Sequence, residues 1–496
     1  MRANTQTVSL FCGGGGETAG KLLAFRELGI EGDAYDTVAV NHWELAVLAH
    51  GRNFPSVRVV QEDIHDVTAA DFGLDTIDLL WASPSCVHHS RARGGKPRED
   101  QQRAHAWEVV DRWLRVADVR VLLIENVPEF AEWGPLDDDG QPVKARRGEF
   151  FANFVSVLRA LGYEVDWRVL CAADYGDPTI RKRLFLQAAK DGQIAWPEPT
   201  HRDPSKPVDL WNAHLRPWRT AAECIDWSIP VPSIFGRKRE LADATKRRIA
   251  HGVARYVLQG RPFIVNMAHG GKTESVDRPF STVATEKGGC RALVAPTLVQ
   301  TGYGERDGQA PRSLDLNRPL GTVAAGGCKH ALVAAFLAKH YGGVVGQRAD
   351  HPLGTVTVQD HHAVVTAALG DTADAGAGRV AAFLMSYYTE GGNARSLGEP
   401  LAAVTTKARH GLVTVDIEGE TFALVDIGMR MLDPRELARA MGFPDWYEFA
   451  TPNGAPMSKR DAIKLIGNAC PVGTVKELIK AVVLRRPEAF GLGAAA

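Results

Sequence analysis

No run of 18 consecutive apolar residues occurs in this 496-residue chain, so no membrane-spanning helix is expected. An apolar leader is also missing. The first residues pass straight into a strand-like Val8-Ser9-Leu10-Phe11, which reads as a chain that stays in the cytoplasm. Excess charge of one sign is absent: 58 Lys and Arg stand against 59 Asp and Glu, a net charge of −1. That excludes a wholly basic coating protein but leaves room for a local basic patch. Cysteine is sparse, with seven residues at 12, 86, 171, 224, 290, 328 and 470, and no CxxC pair. A disulfide framework or closed zinc site is therefore not expected, and no metal is assigned. A special cysteine here would be special for its reactivity. What remains is ordinary for a globular protein, 45% hydrophobic and 24% charged. At roughly 100–200 residues per domain, the length suggests two to four units.

Strand-like and helix-like segments alternate over the first 190 residues. Strands are expected at 8–11, 37–41, 77–82, 121–127 and 164–172, and helices at 18–28, 43–50, 101–117 and 150–161. Such alternation builds βαβ units and a doubly wound, mostly parallel sheet of the α/β class. Ligands of such sheets sit beyond the carboxyl ends of the strands. Chemistry is therefore expected in the loops after Phe11, Asn41, Ala82 and Val127.

Residues 191–261 turn rich in Pro and Trp and then basic. From 216 to 261, ten Lys and Arg face four Asp and Glu, either a solvated helix face or a patch toward phosphates. Residues 262–415 carry an internal repeat. Arg278-Pro279-Phe280-Ser281-Thr282-Val283 matches Arg318-Pro319-Leu320-Gly321-Thr322-Val323. His351-Pro352-Leu353-Gly354-Thr355-Val356 and Glu399-Pro400-Leu401-Ala402-Ala403-Val404 complete the set. Each leads to a basic residue that opens a short apolar strand: Arg291, His330, His362 and His410. Thr, Val and Gly dominate, so these units read as β structure. After about 425 the helical pattern returns. Asp433-Pro434-Arg435-Glu436 reads as a cap, a Pro at the first helical position and an acidic first turn. Further helices are expected near 459–465 and after Pro471. The expected organisation is an α/β domain at 1–195, a β-rich repeat-containing domain at 196–425, and a return to the first domain at 426–496.

Four motifs carry chemistry. Phe11-Cys12-Gly13-Gly14-Gly15-Gly16-Glu17 follows the first strand, and its glycines let backbone approach a nucleotide-like ligand. A P-loop reading fails because Leu22 follows Gly20-Lys21 where Ser or Thr must ligand Mg²⁺. Ser83-Pro84-Ser85-Cys86-Val87-His88-His89-Ser90 places a Cys at a strand's carboxyl end, either a nucleophile or a structural thiol. Positive charge from His88, His89, Arg91 and Arg93 would lower its pKa. Glu125-Asn126-Val127-Pro128 puts a carboxyl at the sheet's edge, placed to protonate a ring nitrogen. Arg181 and Arg183 alternate onto one face, suited to a carbonyl oxygen or a phosphate.

In this order the motifs resemble those of the DNA cytosine-C5 methyltransferases. Phe11 through Gly16 is similar to the family's FxGxGG loop, and Glu62-Asp63-Ile64 to its third motif. The Cys86 loop resembles its nucleophile motif, Glu125-Asn126-Val127 its ENV motif, and Arg181-Lys182-Arg183 its QxRxR motif. Arg435 through Gly442-Phe443-Pro444 resembles the late helix ending in GFP, and Gly467-Asn468-Ala469-Cys470-Pro471 the closing GNAVP motif. The likeness spans roughly 1–190 and 426–485. Departures are visible. Ser85 separates Pro84 from Cys86, Thr179 replaces a Gln, and His42-Trp43-Glu44 stands where an acidic ribose contact is usual.

The resemblance implies a methyltransferase fold and S-adenosyl-L-methionine as cofactor. Phe11, Gly13, Gly15, Gly16, Trp43, Glu44, Asp63, Ile64 and Asn468 would hold it. Cys86 would add to C6 of a flipped-out cytosine, Glu125 would bind N3, and Arg183 with Arg181 would face O2. The repeat domain takes the place of the family's target-recognition domain. Ser90, Arg91 and Arg93 of the Cys86 loop, which could close over DNA, and Arg291, His330, His362 and His410 of the repeats are the candidate DNA contacts, with solvated turn residues as the competing reading for the last four. Double-stranded DNA is the implied partner, a cognate restriction endonuclease a further one, and the enzyme is expected to be monomeric. Competing readings are an RNA cytosine methyltransferase, an inactive DNA-binding relative, and a relative that transfers a larger group. The inserted domain favours duplex DNA, and the intact Cys86, Glu125 and Arg183 argue against inactivity.

Overall fold

The computed structural model describes residues 5–30, 38–86, 88–89, 97–204, 206–224, 226, 228–230, 232–240, 433–451, 453–490 and 492, together with the backbone of strands between 263 and 431. The chain divides into two compact units, 1–225 with 350–360 and 433–496, and 226–349 with 361–432. The first is built on a seven-stranded sheet of order β3-β2-β1-β4-β5-β7-β6. Its strands are β1 (Thr7–Leu10), β2 (Val38–Asn41), β3 (Arg58–Gln61), β4 (Thr76–Ala82), β5 (Asp118–Asn126), β6 (Glu164–Cys171) and β7 (Lys182–Ala189). β1 to β5 run parallel, while β7 pairs antiparallel with both β5 and β6.

Alternation explains why both faces are covered. Leu80 and Ala82 of β4, Leu122 and Ile124 of β5, and Leu184 and Leu186 of β7 enter one core with Trp113, Phe151, Phe154 and Leu158. Their neighbours Leu79, Trp81, Val121, Leu123 and Phe185 enter the other, with Phe25, Val475, Leu478, Ile479 and Val482. Trp81 and Trp113 are fully buried. Truncating either to Ala would cost about 3–5 kcal/mol.

Helices α1 (Gly16–Glu27) and α2 (Glu44–Asn53) follow β1 and β2. The helix expected at 101–117 is instead α3 (Asp100–Arg103), α4 (His105–Val109) and a wider π-helical turn, Val110–Leu114. α5 (Glu149–Ala160) precedes β6. The chain returns through α6 (Pro434–Ala440), α7 (Lys459–Asn468) and α8 (Val472–Leu484). α6 begins with the cap expected from its sequence: Arg435 N–H donates to Asp433 Oδ1 at 3.1 Å and Asp433 N–H to Glu436 Oε2 at 2.6 Å. α8 lies on α1 so closely that a Cβ at Gly20 would come within 2.6 Å of the Val475 side chain. Lys476 and Lys480 of α8 bracket Glu27 of α1 at 2.6 and 2.9 Å.

In the second unit the described backbone forms antiparallel sheets. Phe263–Asn266 pairs with Lys272–Ser275 and Arg291–Val294, and Leu298–Gln300 pairs with Ser313–Leu314 and His330–Leu332. Ala334–Lys339 pairs with Gln347–Arg348 and His362–Gly370, and the last strand pairs in turn with Glu420–Met431. His410 and the four proline-containing segments lie outside the described residues.

Candidate active site

Topology brings three strand ends together. β4 and β5 are parallel neighbours, so the Cys86 turn and Glu125 emerge at the same edge of the sheet. β7 runs the other way, and its start, not its end, reaches that edge; Glu125 opposes Phe185 in the register. Arg183 thereby reaches Glu125, with Nε 3.0 Å from Oε1 and both side chains largely buried. Asn126 fastens the nucleophile turn from below: its Nδ2 donates to the Pro84 carbonyl at 3.0 Å. Ser83 is fixed by its N–H to the Leu10 carbonyl at 3.1 Å and by Trp81 Nε1 to its Oγ at 2.9 Å.

Cys86 is partly buried and free. Burial raises its thiol above the ordinary value, Arg183 and Arg181 pull it down, and Glu125 pushes it up. This corrects the expectation that His88 and His89 supply the activating charge. Among the described residues, the cations that act on the thiol are Arg183 in β7 and Arg181 just before it. Burial and Arg103 hold His89 down to about 3, so it is neutral. Arg91, Arg93 and Ser90 lie outside the described residues.

Arg181 is buried at 2% exposure, and its Nη2 donates to the carbonyls of Gly467 and Ala469 at 3.1 and 3.2 Å. These carbonyls flank Asn468. Arg181 thus ties the closing segment to the edge that carries Cys86, while Arg183 holds the carboxylate. Burial and the neighbouring Arg183 bring Arg181 down to about 9. Asp177 is a further residue that sequence reasoning missed. Its carboxylate accepts the N–H groups of Gly473 and Thr474 at 2.8 and 2.9 Å and the Thr474 hydroxyl at 3.0 Å. It caps α8 from 296 residues away, and no local signal announces such a partner.

The glycine loop sits beside this edge. Phe11 has φ 57, the one non-glycine residue with positive φ among the described residues. That conformation costs about 1–2 kcal/mol in an L-residue and marks a constrained site. Its ring stacks on His105 at 6.2 Å. Gly13 and Gly15 also take positive φ, 51 and 82. A Cβ on Gly14 would fall 2.4 Å from Leu465, and one on Gly16 3.0 Å from the Cys470 carbonyl. Tyr447, fully buried, donates its hydroxyl to the Gly14 carbonyl at 2.5 Å. A Cβ on Gly13 would meet nothing within 4 Å, so the loop is open on that side. Trp43 and Glu44 start α2 at the neighbouring strand end, where Asn41 Oδ1 accepts the Trp43 N–H at 2.8 Å. Lys464 lies over the Trp43 ring at 4.2 Å. Asp63 turns the chain by accepting the His65 N–H at 3.1 Å, and Ile64 is buried. Asn468 is exposed at the end of α7. No cluster of His, Cys, Asp and Glu suited to a metal occurs among the described residues.

Three comparisons bear on this edge. The type II methyltransferase M.AquIA of Picosynechococcus sp. is 27% identical over 256 residues, covering 49% of this chain and 98% of that protein. M.XorII of Xanthomonas oryzae pv. oryzae is 32% identical over 206 residues, covering 39% and 43%. M.Sau3AI of Staphylococcus aureus is 28% identical over 193 residues, covering 36% and 42%. The chain thus spans less than half the length of the latter two. A solved Spodoptera frugiperda DNMT2 mutant shares 14% identity at a TM-score of 0.47, covering 96% of this chain and 99% of that one, too slight a likeness to carry weight. The model of the C-5 cytosine-specific DNA methylases matches residues 5–223 and 379–484, the two stretches that build the sheet edge and its closing segment, and the chain belongs to that family.

Proposed function

We propose that this chain transfers a methyl group from S-adenosyl-L-methionine to C5 of cytosine in double-stranded DNA, through addition of Cys86 to C6 of an extrahelical base. One observation carries the reading: a thiol, a carboxylate and a guanidinium from three different strand ends converge at one edge, with Arg183 and Glu125 already paired at 3.0 Å. Cytosine C5 is a poor nucleophile. A Cys86 thiolate bonded to C6 makes it enamine-like. Glu125 hydrogen-bonds N3 and the amino group, and Arg183 stabilises charge that develops on O2. The methyl is transferred to C5, the C5 proton leaves, and the C6–S bond breaks to restore the ring. A base stacked in a duplex cannot reach these groups, so it must flip out.

The residues present fit the cofactor. The open side of Gly13, the carboxylates of Glu44 and Asp63, the Trp43 ring and the exposed Asn468 surround one edge of the parallel strands, where nucleotide-like ligands bind. Bound there, it supplies an electrophilic methyl group.

For the second unit we favour a target-recognition domain of repeated β units. Three successive sets share one pattern, a central strand paired with a short strand and with a returning strand that opens on Arg291, His330 or His362. These residues, with His410, are the proposed DNA contacts, since Arg and His are residue types suited to phosphates or base edges. The relatives' type II names favour a cognate restriction endonuclease as partner, and we propose a monomeric enzyme.

Bisulfite sequencing of unmodified plasmid incubated with protein and S-adenosyl-L-methionine tests the reading. Protected cytosines in one sequence context, lost in Cys86→Ser, are expected. Protection that persists in Cys86→Ser, or appears only on an RNA competitor, overturns it.

A further inference from the structure

The nucleophile turn carries Ser85 between Pro84 and Cys86 and then the consecutive pair His88-His89, neither of which is among the groups that shift the Cys86 thiol. Both rings are buried, at 8% and 5% exposure. His88 Nδ1 accepts the Glu99 backbone N–H at 2.9 Å. His89 closes the turn, its N–H donating to the Cys86 carbonyl at 3.1 Å. The His89 ring stands edge-on to Phe130 and Trp133, with centroids 5.1 and 5.6 Å away, and its Nε2 lies 3.3 Å from the Arg103 carbonyl. Arg103 is itself anchored to the Gly134 carbonyl at 2.8 Å and to Asp100 at 2.9 Å. Beside the pair lies a cavity of about 280 Å³ lined by Arg98, Arg103, Lys144 and Arg147 against Glu129 and Glu132.

We propose that His88 is a positioning residue for the nucleophile. Its imidazole Nδ1 ties the chain two residues beyond Cys86 to the backbone of Glu99, with the His89 ring against Phe130 and Trp133. The inference rests on the reading of Cys86 as nucleophile. One inserted residue lengthens the turn after Pro84, and a longer turn has more backbone freedom to lose when the thiol is aimed. Four points now hold it: Asn126 on the Pro84 carbonyl, the His89 N–H on the Cys86 carbonyl, His88 on Glu99, and His89 on the Arg103 carbonyl. The role needs a lone pair on Nδ1. An aliphatic side chain at this position has no such acceptor, whereas an amide side chain has one in its oxygen. The cations around the cavity do not replace it, because Arg98, Arg103, Lys144 and Arg147 are donors only. Positioning matters because a displacement of about 1 Å at a reacting group costs on the order of 100-fold in rate.

The test uses the full chain and a duplex with 5-fluorocytosine at the target position, which traps the Cys86–C6 adduct. Adduct formation is timed in the presence of S-adenosyl-L-methionine at one fixed pH, about 7.5, above the ordinary histidine value. His88→Leu is expected to slow trapping about 10–100-fold with cofactor affinity unchanged. His88→Asn keeps an acceptor oxygen and is expected to rescue trapping to within about threefold of wild type. His89→Phe, which keeps the aromatic wedge without charge, is expected to trap at near the wild-type rate. Wild-type trapping by His88→Leu, or trapping by His88→Asn as slow as by His88→Leu, overturns the positioning role. A wild-type protein that forms no adduct overturns the reading of Cys86 and this role with it, and so is told apart from failure of the role alone.

Discussion

Lowering the pH should destabilise the first unit through His50, and the size of the effect follows from where that residue sits. His50 lies in α2, fully buried, and its ring is edge-on to Phe54 at 5.2 Å. A Cβ on Gly15 would come within 3.3 Å of it, so the ring props the glycine loop. Burial, helped by the charge of Lys21 and opposed by the Gly13 backbone, lowers its pKa from 6.5 to about 3. The folded state therefore holds His50 neutral, while the unfolded chain binds a proton near pH 6.5. Stability is fully present above the unfolded value and is lost as pH falls toward the folded one. Between pH 7.5 and pH 5 linkage gives a loss of roughly 2 kcal/mol from this group alone. Urea unfolding of wild type and His50→Phe at a series of pH values measures it. The variant is expected to lose about 2 kcal/mol less than wild type over that interval, whatever its stability at pH 7.5. Identical acid slopes would refute the reasoning. His89, also lowered to about 3, adds a second contribution of the same sign.

Three further outcomes follow from the same edge. Asp177→Ala leaves two backbone N–H groups and a hydroxyl without their acceptor at the start of α8; a loss of about 2–4 kcal/mol is expected, read as a lower melting temperature. Arg183→Ala removes the partner of Glu125 and the charge toward O2; kcat for methylation should fall about 100–1000-fold while cofactor binding by calorimetry is retained. Arg181→Ala removes the nitrogen that donates to both the Gly467 and Ala469 carbonyls beside Asn468. It should weaken cofactor affinity more than the trapping rate at saturating cofactor, and the reverse order would place Arg181 on the base instead.

Much of this edge was legible because its signals are local. The short run Val8-Ser9-Leu10-Phe11 followed, after Cys12, by four glycines announces β1 and its loop. Glu125 and Cys86 stand at the ends of apolar runs, and the Asp433 cap is written in four consecutive residues. What escaped was non-local. β3 has four residues, half of them exposed, and shows no alternation. The antiparallel course of β7 leaves no trace in its periodicity, yet it decides that Arg183 and not a later residue meets Glu125. Arg181 and Arg183 look equivalent in an Arg-x-Arg alternation. Their different roles depend on carbonyls 286 and 288 residues away. His89 was read as charge because sequence reports residue type and not protonation, and its burial against Phe130 and Trp133 decides the latter.

The contact between α1 and α8 has a consequence for the order in which the protein is made. Lys476 reaches back 449 residues to Glu27. At about 5–20 residues per second a ribosome needs roughly 20–90 s to deliver the second partner after the first. Throughout that interval Phe25 and the lower faces of Trp81 and Phe185 have no cover from Val475, Leu478 and Ile479. The second core of the first unit therefore closes only once α8 is made, and until then the Asp177 carboxylate lacks the Gly473 and Thr474 groups that it accepts from.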